Sequence, residues 1–463
     1  MRVVAIGAIG LYALASQAEE SPIDVFEMTL DVDQRFGFDT NENLTPGGEE
    51  DSKFATTRLA FGLKTESPID SLSFNVSSDF RFMNGPDDPG TEFDVDNSAL
   101  RLFYTRDTGG SALTFGTRYR QSDVDTTLPF SDFTDPNTGQ IVLPTDLDKL
   151  SGTGTRNSLG FTGSLDLFKD APIGLILTAG HTLLTYDDTT DPDLARTESL
   201  NLGATVRLIF SPVLQGNINV EHSTFDSEDT DMTETFNNRT SFGLIYDASQ
   251  IVQYHGDIGY SVAERDEGIG IARMTTHKEG VVGSFGAIYE VPNGTISPEV
   301  SSIINTNGRR NTFDVGRVYE LPNATLSGSL GVTRGEANKT NVIGGLIFRQ
   351  MVPNGDINTQ FRRYVANDSD DDERLYSAFT VGYNHNINNV SSILLNAGFT
   401  TSNNVVRTDL NSRIRFDVTY VYNMTKDWNI NTGYIFRQDD DETSETADSH
   451  SLFFGIGRRF DLQ

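Results

Sequence analysis

Tyr289-Glu-Val-Pro-Asn-Gly-Thr-Ile296, Tyr319-Glu-Leu-Pro-Asn-Ala-Thr-Leu326 and Arg349-Gln-Met-Val-Pro-Asn-Gly-Asp-Ile357 repeat one phrase, each copy between runs of alternating apolar and polar residues. Pro-Asn between two such runs reads as a hairpin turn. The prolines Pro292, Pro322 and Pro353 lie 30 and 31 residues apart, enough for two strands of about ten residues, one tight turn and one longer loop. A sheet that repeats this unit must close or leave a raw edge. Lipid offers an open edge no hydrogen-bond partner, so closure predicts an all-β, antiparallel transmembrane barrel.

Alternation outside the repeat agrees. Leu72, Phe74, Val76, Phe80 and Phe82 fall on one face of a strand, with Ser73, Asn75, Ser77, Asp79 and Arg81 on the other. Leu59, Phe61 and Leu63 are set off in the same way from Arg58, Ala60 and Gly62, and Ile414, Phe416, Val418 and Tyr420 from Arg415, Asp417 and Thr419. Tight turns are expected near Pro68, Gly109-Gly110, Pro172, Pro212, Ser249, Pro292, Pro322, Pro353, Asn388 and Lys426. With a first strand near Val25 to Phe38 and a last near Ser451 to Phe460, ten turns give about 22 strands, within a range of roughly 18 to 22. Even parity puts both mature termini and the Pro-Asn turns at one end. The acidic runs Asp368 to Glu373 and Asp439 to Glu442 go to the other.

Bulk composition fits a wet interior. Only 37 % of residues are hydrophobic, with 30 Phe, 15 Tyr and a single Trp, and a water-filled barrel needs apolar residues on just one face of each strand. Arg2, the apolar run Val3 to Ala15 and the small residues Ser16 and Ala18 form a secretory signal, with cleavage expected before Glu19. Residues 19–463 then form one barrel domain, since no linker-like stretch divides them. A formal charge of −31 excludes nucleic acid as a partner. The absence of cysteine removes disulfides, thiolate metal sites and cysteine catalysis.

Phe38-Asp39-Thr40-Asn41, a Gly- and acid-rich loop, and then Asp51 through Leu63 resemble the opening of the putative β-barrel porin 2 family of the outer membrane. The resemblance implies a barrel in the bacterial outer membrane that meets lipid and the barrel-insertion machinery. The trimeric general porins are similar in one respect. The longest connection, Ser122 to Thr155, follows the fifth strand as their constriction loop does, although no Pro-Glu-Phe-Gly occurs in it. The last strand resembles the terminal β-signal of such barrels through Leu452, Phe454, Ile456 and Phe460. Arg458 interrupts that series, and Asp461-Leu462-Gln463 follows it.

Seven arginines share the non-lipid face: Arg58, Arg81, Arg101, Arg118, Arg120, Arg207 and Arg415. Two readings stand side by side. Either a guanidinium ladder lines the lumen and attracts anions, or each arginine pairs with an aspartate such as Asp79 or Asp417 on a neighbouring strand. The acidic runs read as solvated loop tips, with Asp370, Asp371, Asp372, Asp440 and Asp441 as candidate surface ligands for a divalent cation. The six histidines show no metal-ligand spacing, and no phosphate-binding loop or cofactor motif occurs. His222 near Asp226 and His277 near Glu279 are the only pairs with an acid–base look. The sequence therefore points away from an enzyme, toward a passive channel for small solutes, anionic ones included. Export of an anionic polysaccharide and a surface-binding barrel are the alternatives.

Overall fold

The computed structural model describes residues 25–462 apart from 43, 45–46, 48–50, 85–91, 125–140, 148, 151–153, 190, 269–272, 337–338, 369, 406–409 and 441–445. Residues 1–18, where a signal segment is expected, lie outside the described residues. Twenty-two strands form one sheet, every pairing antiparallel. The first strand, β1 (Val25–Asp39), pairs over its whole length with β2 (Ser52–Glu66), and on its other side with β22 (Ala447–Asp461) from Thr29↔Asp461 to Asp39↔Ser451. That second pairing closes the sheet. No strand edge is left for lipid to solvate.

The tight turns fall where the sequence puts them. Pro292-Asn293 joins β12 (Met274–Val291) to β13 (Gly294–Asn305), and Pro322-Asn323 joins β14 (Gly308–Leu321) to β15 (Ala324–Arg334). Pro353-Asn354 joins β16 (Thr340–Val352) to β17 (Gly355–Asn367). All three follow even-numbered strands, so they share the rim where β1 begins and β22 ends. The connection 368–372 follows an odd-numbered strand and lies at the opposite, loop-side rim. Proline presets one dihedral of the turn, and Asn293 supplies the left-handed one at φ 64°. Gly294 follows at φ 129°, packed so closely that a Cβ would stand 2.1 Å from the Val318 carbonyl oxygen.

Alternation places apolar side chains outward all round the wall, as with Leu59, Val76, Phe82, Leu202, Phe242, Ile258, Phe285, Leu330, Phe399 and Phe454. A fifteen-residue strand tilted by about 40° stands roughly 38 Å tall, against an apolar band of about 25 Å. The excess shows at the loop end. There the outward face of β8 (Thr197–Ser211), β9 (Leu214–Ser227), β10 (Glu234–Ser249), β11 (Val252–Glu267) and β12 turns charged, with Glu198, Asp226 and Glu234 cross-strand neighbours and Glu264 beside His277. Carboxylates facing hydrocarbon would be costly. This collar therefore rises above the membrane.

Arg458, the break in the terminal alternation, has a physical place. Its guanidinium lies 5.0 Å from the Trp428 ring and 4.3 Å from the Phe460 ring at the turn-side rim, so the charge sits on aromatic faces at the interface while its stem stays with the apolar row. The arginine fits the outward row as an interfacial residue.

Gly294→Val should lower the yield of folded barrel, since a side chain there collides with backbone. Gly109→Val meets nothing within 4 Å and should leave the yield unchanged. Heat-modifiable migration on SDS gels measures both.

Candidate functional site

A wall of 22 strands spaced about 4.8 Å apart and tilted by about 40° encloses a bore roughly 40 Å across between backbones. Side chains alone cannot fill that width. Barrels of this size are known as plugged transporters, and here the chain's own connections enter the bore from the loop side.

The connection between β5 (Ser111–Asp123) and β6 (Thr155–Leu167) reaches across it. Ile141, Leu143, Leu147 and Leu150 of this strap form one buried cluster with Val124, Leu194, Tyr376 and Ala378, flanked by Tyr186, Tyr364 and Ala366. Tyr186 belongs to β7 (Ile173–Asp187), whereas Tyr364 stands on β17 and Tyr376 on β18 (Glu373–Asn388). Strands seven and eighteen are eleven apart by either route round a 22-strand wall, which is diametrically opposite. The strap thus crosses the whole mouth. Each fully buried Leu or Ile contributes roughly 1.5–3 kcal/mol to seating it.

Polar anchors hold both ends. On the near wall, Arg156 of β6 donates to Asp146 through Nε (2.6 Å) and Nη2 (2.9 Å), and the Tyr186 hydroxyl donates to the same carboxylate. Burial opposes the charge on Asp146, but the Arg156 guanidinium prevails and holds the carboxyl below the usual aspartate range. On the far wall, Arg362 of β17 donates to the Ile141 carbonyl (2.7 Å) and the Tyr364 hydroxyl accepts from the Leu143 amide (3.0 Å). Arg413 of β20 (Leu410–Asn423) donates to the Leu150 carbonyl (2.7 Å).

The acidic connection 368–372 departs from the solvated tip that its composition predicts. Asp368 and Asp371 are buried. Arg374 donates to Asp368 (2.7 Å), Arg265 of β11 pairs with Asp371, and Lys149 of the strap reaches Asp370 (2.5 Å). Asn307, between β13 and β14, donates to the Asp371 carbonyl (2.6 Å). Cationic and amide donors from three other segments draw the run into the mouth, where a solvated loop would be expected to extend into water. Burial pushes the Asp368 and Asp371 carboxyls up, with Arg374 and Arg265 opposing. In the second acidic run, Asp439 pairs with Arg413 (3.2 Å) and Asp440 accepts from Thr446 (2.8 Å). Asp441 lies outside the described residues.

Register puts all seven arginines on the face opposite the lipid-facing row. Arg58 stands 3.8 Å from Asp79, Arg207 3.2 Å from Asp166, and Arg415 3.0 Å from Asp417, while Arg81 pairs with Glu42. All four have a carboxylate partner, but of these only Asp79 is an aspartate on the neighbouring strand. Arg101 of β4 (Glu92–Thr108) is the direct cross-strand partner of Arg118, with Arg120 two residues further along β5. No ion pair is seen for Arg101 among the described residues, whereas Arg118 and Arg120 take part in further polar contacts. Asp94, Asp96 and Asp123 bring carboxylate oxygens within 4.8 Å of one another, a donor set suited to a hard cation, with Arg81 3.8 Å from Asp96. His222 hydrogen-bonds Asn238 (2.7 Å), and His277 sits between Glu264 (3.0 Å) and Glu279 (3.5 Å) on the outer collar. Sequence reasoning missed Asp146, Arg156, Arg362 and Arg413. The length of the β5–β6 connection was the signal available for a strap, but nothing local marks its anchors.

Three solved structures share this architecture. The FrpB iron transporter from Neisseria meningitidis aligns at TM-score 0.56 and 9 % identity, covering 93 % of this chain and 82 % of that one. The ferric-catecholate import receptor Fiu from E. coli K12 gives 0.54 at 9 % identity over 95 % and 82 %. The fold is that of the outer-membrane transporter barrels. A ferric enterobactin receptor (PfeA) mutant from Pseudomonas aeruginosa gives 0.52 at 8 % identity over 94 % and 81 %. No protein-family model and no curated protein matches the chain.

Arg156→Met leaves Asp146 buried without its cation, a loss of about 3–5 kcal/mol, and should expose the strap to protease while the barrel stays folded. Adding Asp146→Asn should restore part of the protection. A second expectation concerns pH. A carboxyl with a raised folded pKa favours the docked loop as it takes up a proton, and that contribution is lost as pH rises through the raised value. The depressed Asp146 works the other way, its contribution being lost only as pH falls through a value below the ordinary aspartate range. Lowering pH from 7 to 5 should therefore leave strap and loop docked, as measured by protease protection.

Proposed function

We propose that this protein is a porin-like channel of the outer membrane, passing small solutes without a chemical step. The observation that carries this reading is the diametric strap, which divides a bore too wide for discrimination into narrower passages. On this reading residues 1–18 are the export signal and residues 19–463 the mature barrel.

Charge selection on this proposal is local. A preference for anions on this proposal draws on the inner-face arginines together, Arg101 standing directly opposite Arg118 with Arg120 two residues further along the same strand. Like charges directly opposite each other repel, and a passing carboxylate or phosphate relieves that repulsion. The acidic collar does not set selectivity, because its field is screened over roughly 8 Å at physiological salt. A second reading draws on fold likeness and the occupied mouth together: a gated uptake receptor for a bulky ligand, the neighbours named above being an iron transporter, a ferric-catecholate import receptor and a ferric enterobactin receptor. Such a receptor stays shut in a bilayer, whereas a channel conducts.

Planar-bilayer recording separates the two. A channel should show steady conductance that rises when Arg362→Ala and Arg413→Ala together release the far end of the strap. Its reversal potential in a salt gradient should show anion preference, moving toward cations in the Arg118→Ala, Arg120→Ala variant. A silent parent that conducts only after strap release would favour the receptor. Cation preference in the parent would leave all seven arginines as structural partners.

A further inference from the structure

The outer face of the wall changes sign between neighbouring sectors. On β8 to β12 the outward row carries Glu198, Asp226, Glu234, Glu264, Asp266 and Glu279 toward the loop end. On β13 to β17 the outward row that runs through Val300, Phe313, Val332, Leu346 and Phe361 holds arginines and no Asp or Glu. Arg309 lies four residues from Phe313 toward the loops, Arg334 two from Val332 and Arg363 two from Phe361, so all three stand toward the loop-side end of this face. A lipid-facing arginine is costly at the bilayer midplane and cheap at the interface. Arg317, lower in the same row, lies 5.2 Å from the Tyr319 ring near the turn-side rim.

How these charges are balanced sets them apart from the collar. There Arg196 pairs with Glu198 and Glu228, and Arg273 with Glu234 and Asp266. Arg309 instead donates through Nη1 to the Val281 carbonyl (2.8 Å) and to Ser302 Oγ (2.7 Å), and Arg363 donates through Nε to the Val342 carbonyl (3.1 Å) and through Nη1 to Ser377 Oγ (3.1 Å). All four acceptors are neutral. Neither arginine makes an ion pair among the described residues, and Glu336, in the connection between β15 and β16, is taken by Lys278 at 2.9 Å. The bonds to the wall hold each guanidinium in place and leave donors over. Arg309 is exposed, and Arg363 Nη2 has no acceptor among the described residues and is open to the surface.

The wall thus presents two fixed, unbalanced positive charges to the lipid side at the level where hydrocarbon gives way to head groups. The anion that a bilayer supplies at that level is the lipid phosphate, and the guanidinium is the side chain that matches it. By register Arg309 and Arg363 stand three strands and six residues apart, a span of roughly 24 Å, so each meets a phosphate of its own. We propose that Arg309 and Arg363 are contact sites for phosphate-bearing lipid head groups of the outer leaflet, with Arg334 between them on the same row. The proposal holds for a conducting channel and for a gated receptor alike.

The test is mass spectrometry of the intact barrel released from dodecyl maltoside micelles, titrated with dioleoyl phosphatidic acid and, as the uncharged comparator, dioleoylglycerol. The phosphatidic acid should be retained saturably and the diacylglycerol should not. Arg309→Gln with Arg363→Gln should weaken retention roughly tenfold through loss of charge-assisted hydrogen bonds, whereas Arg349→Gln, on the inner face of β16, should leave it unchanged. Heat-modifiable migration checks that each variant is folded, and Arg363→Gln alone carries the test if the double variant does not fold. Equal retention of the two lipids by the parent would overturn the proposal, as would equal retention of phosphatidic acid by the parent and the folded variant. Displacement of the lipid by an equal concentration of inorganic phosphate would also overturn it and assign the row to free anions. A change in oligomeric state of the variant without a change in lipid retention would give the row to the acidic collar of a second copy instead.

Discussion

The backbone hydrogen-bond ladder must close on itself, and most of what is distinctive here follows from closing it with 22 strands. Closure between β1 and β22 removes the edge that lipid cannot satisfy. The same closure opens a bore roughly 40 Å wide, far more than inward side chains can span. Connections at the loop end carry the burden of restricting it. The apolar cluster of this chain accordingly lies across its mouth, between opposite walls, where a soluble protein would place its core between layers of secondary structure.

Inside a wet barrel, charge on the inner face is cheap, so its presence says little about function. What matters is how each charge is balanced. Arg58, Arg207 and Arg415 face carboxylates on the adjacent strand, two strands away across β7 and on the same strand respectively, and serve the wall. Arg156, Arg362 and Arg413 serve the strap, offering buried donors to a carboxylate or to carbonyls that would otherwise go unpaired. The β4–β5 group differs in placing Arg101 directly opposite Arg118.

Much of the wall was legible in the sequence because β structure writes itself with period two and tight turns have a restricted vocabulary. Pro292, Pro322 and Pro353 fixed the hairpin unit, and Leu72 to Phe82 fixed a face. Even Arg458, which breaks the terminal pattern, obeys a local rule once Trp428 is seen beside it. The mouth was not legible, for an equally physical reason. Arg413 and Leu150, or Arg265 and Asp371, meet across the bore at separations that no local period encodes. The run at Asp368 illustrates the failure: like charges read as solvated until Arg265, Lys149 and Asn307 arrive from three other segments.

Because the strap runs along a diameter, it gives the bore two sides of different character. One side is walled by β8 to β16, where the docked 368–372 connection narrows the mouth. The other runs round through β22 and β1 to β5 and carries Arg101, Arg118 and Arg120. Releasing the near anchor at Asp146 and Arg156 disturbs a buried ion pair, whereas releasing the far anchors at Arg362 and Arg413 removes donors to carbonyls. The far end is the cheaper to open, since a freed carbonyl can turn to water while a buried carboxylate without its cation cannot stay charged. A strap that swings would therefore pivot on β6 and β7. Its far end would leave the β17–β20 wall, joining the two sides into one wider passage.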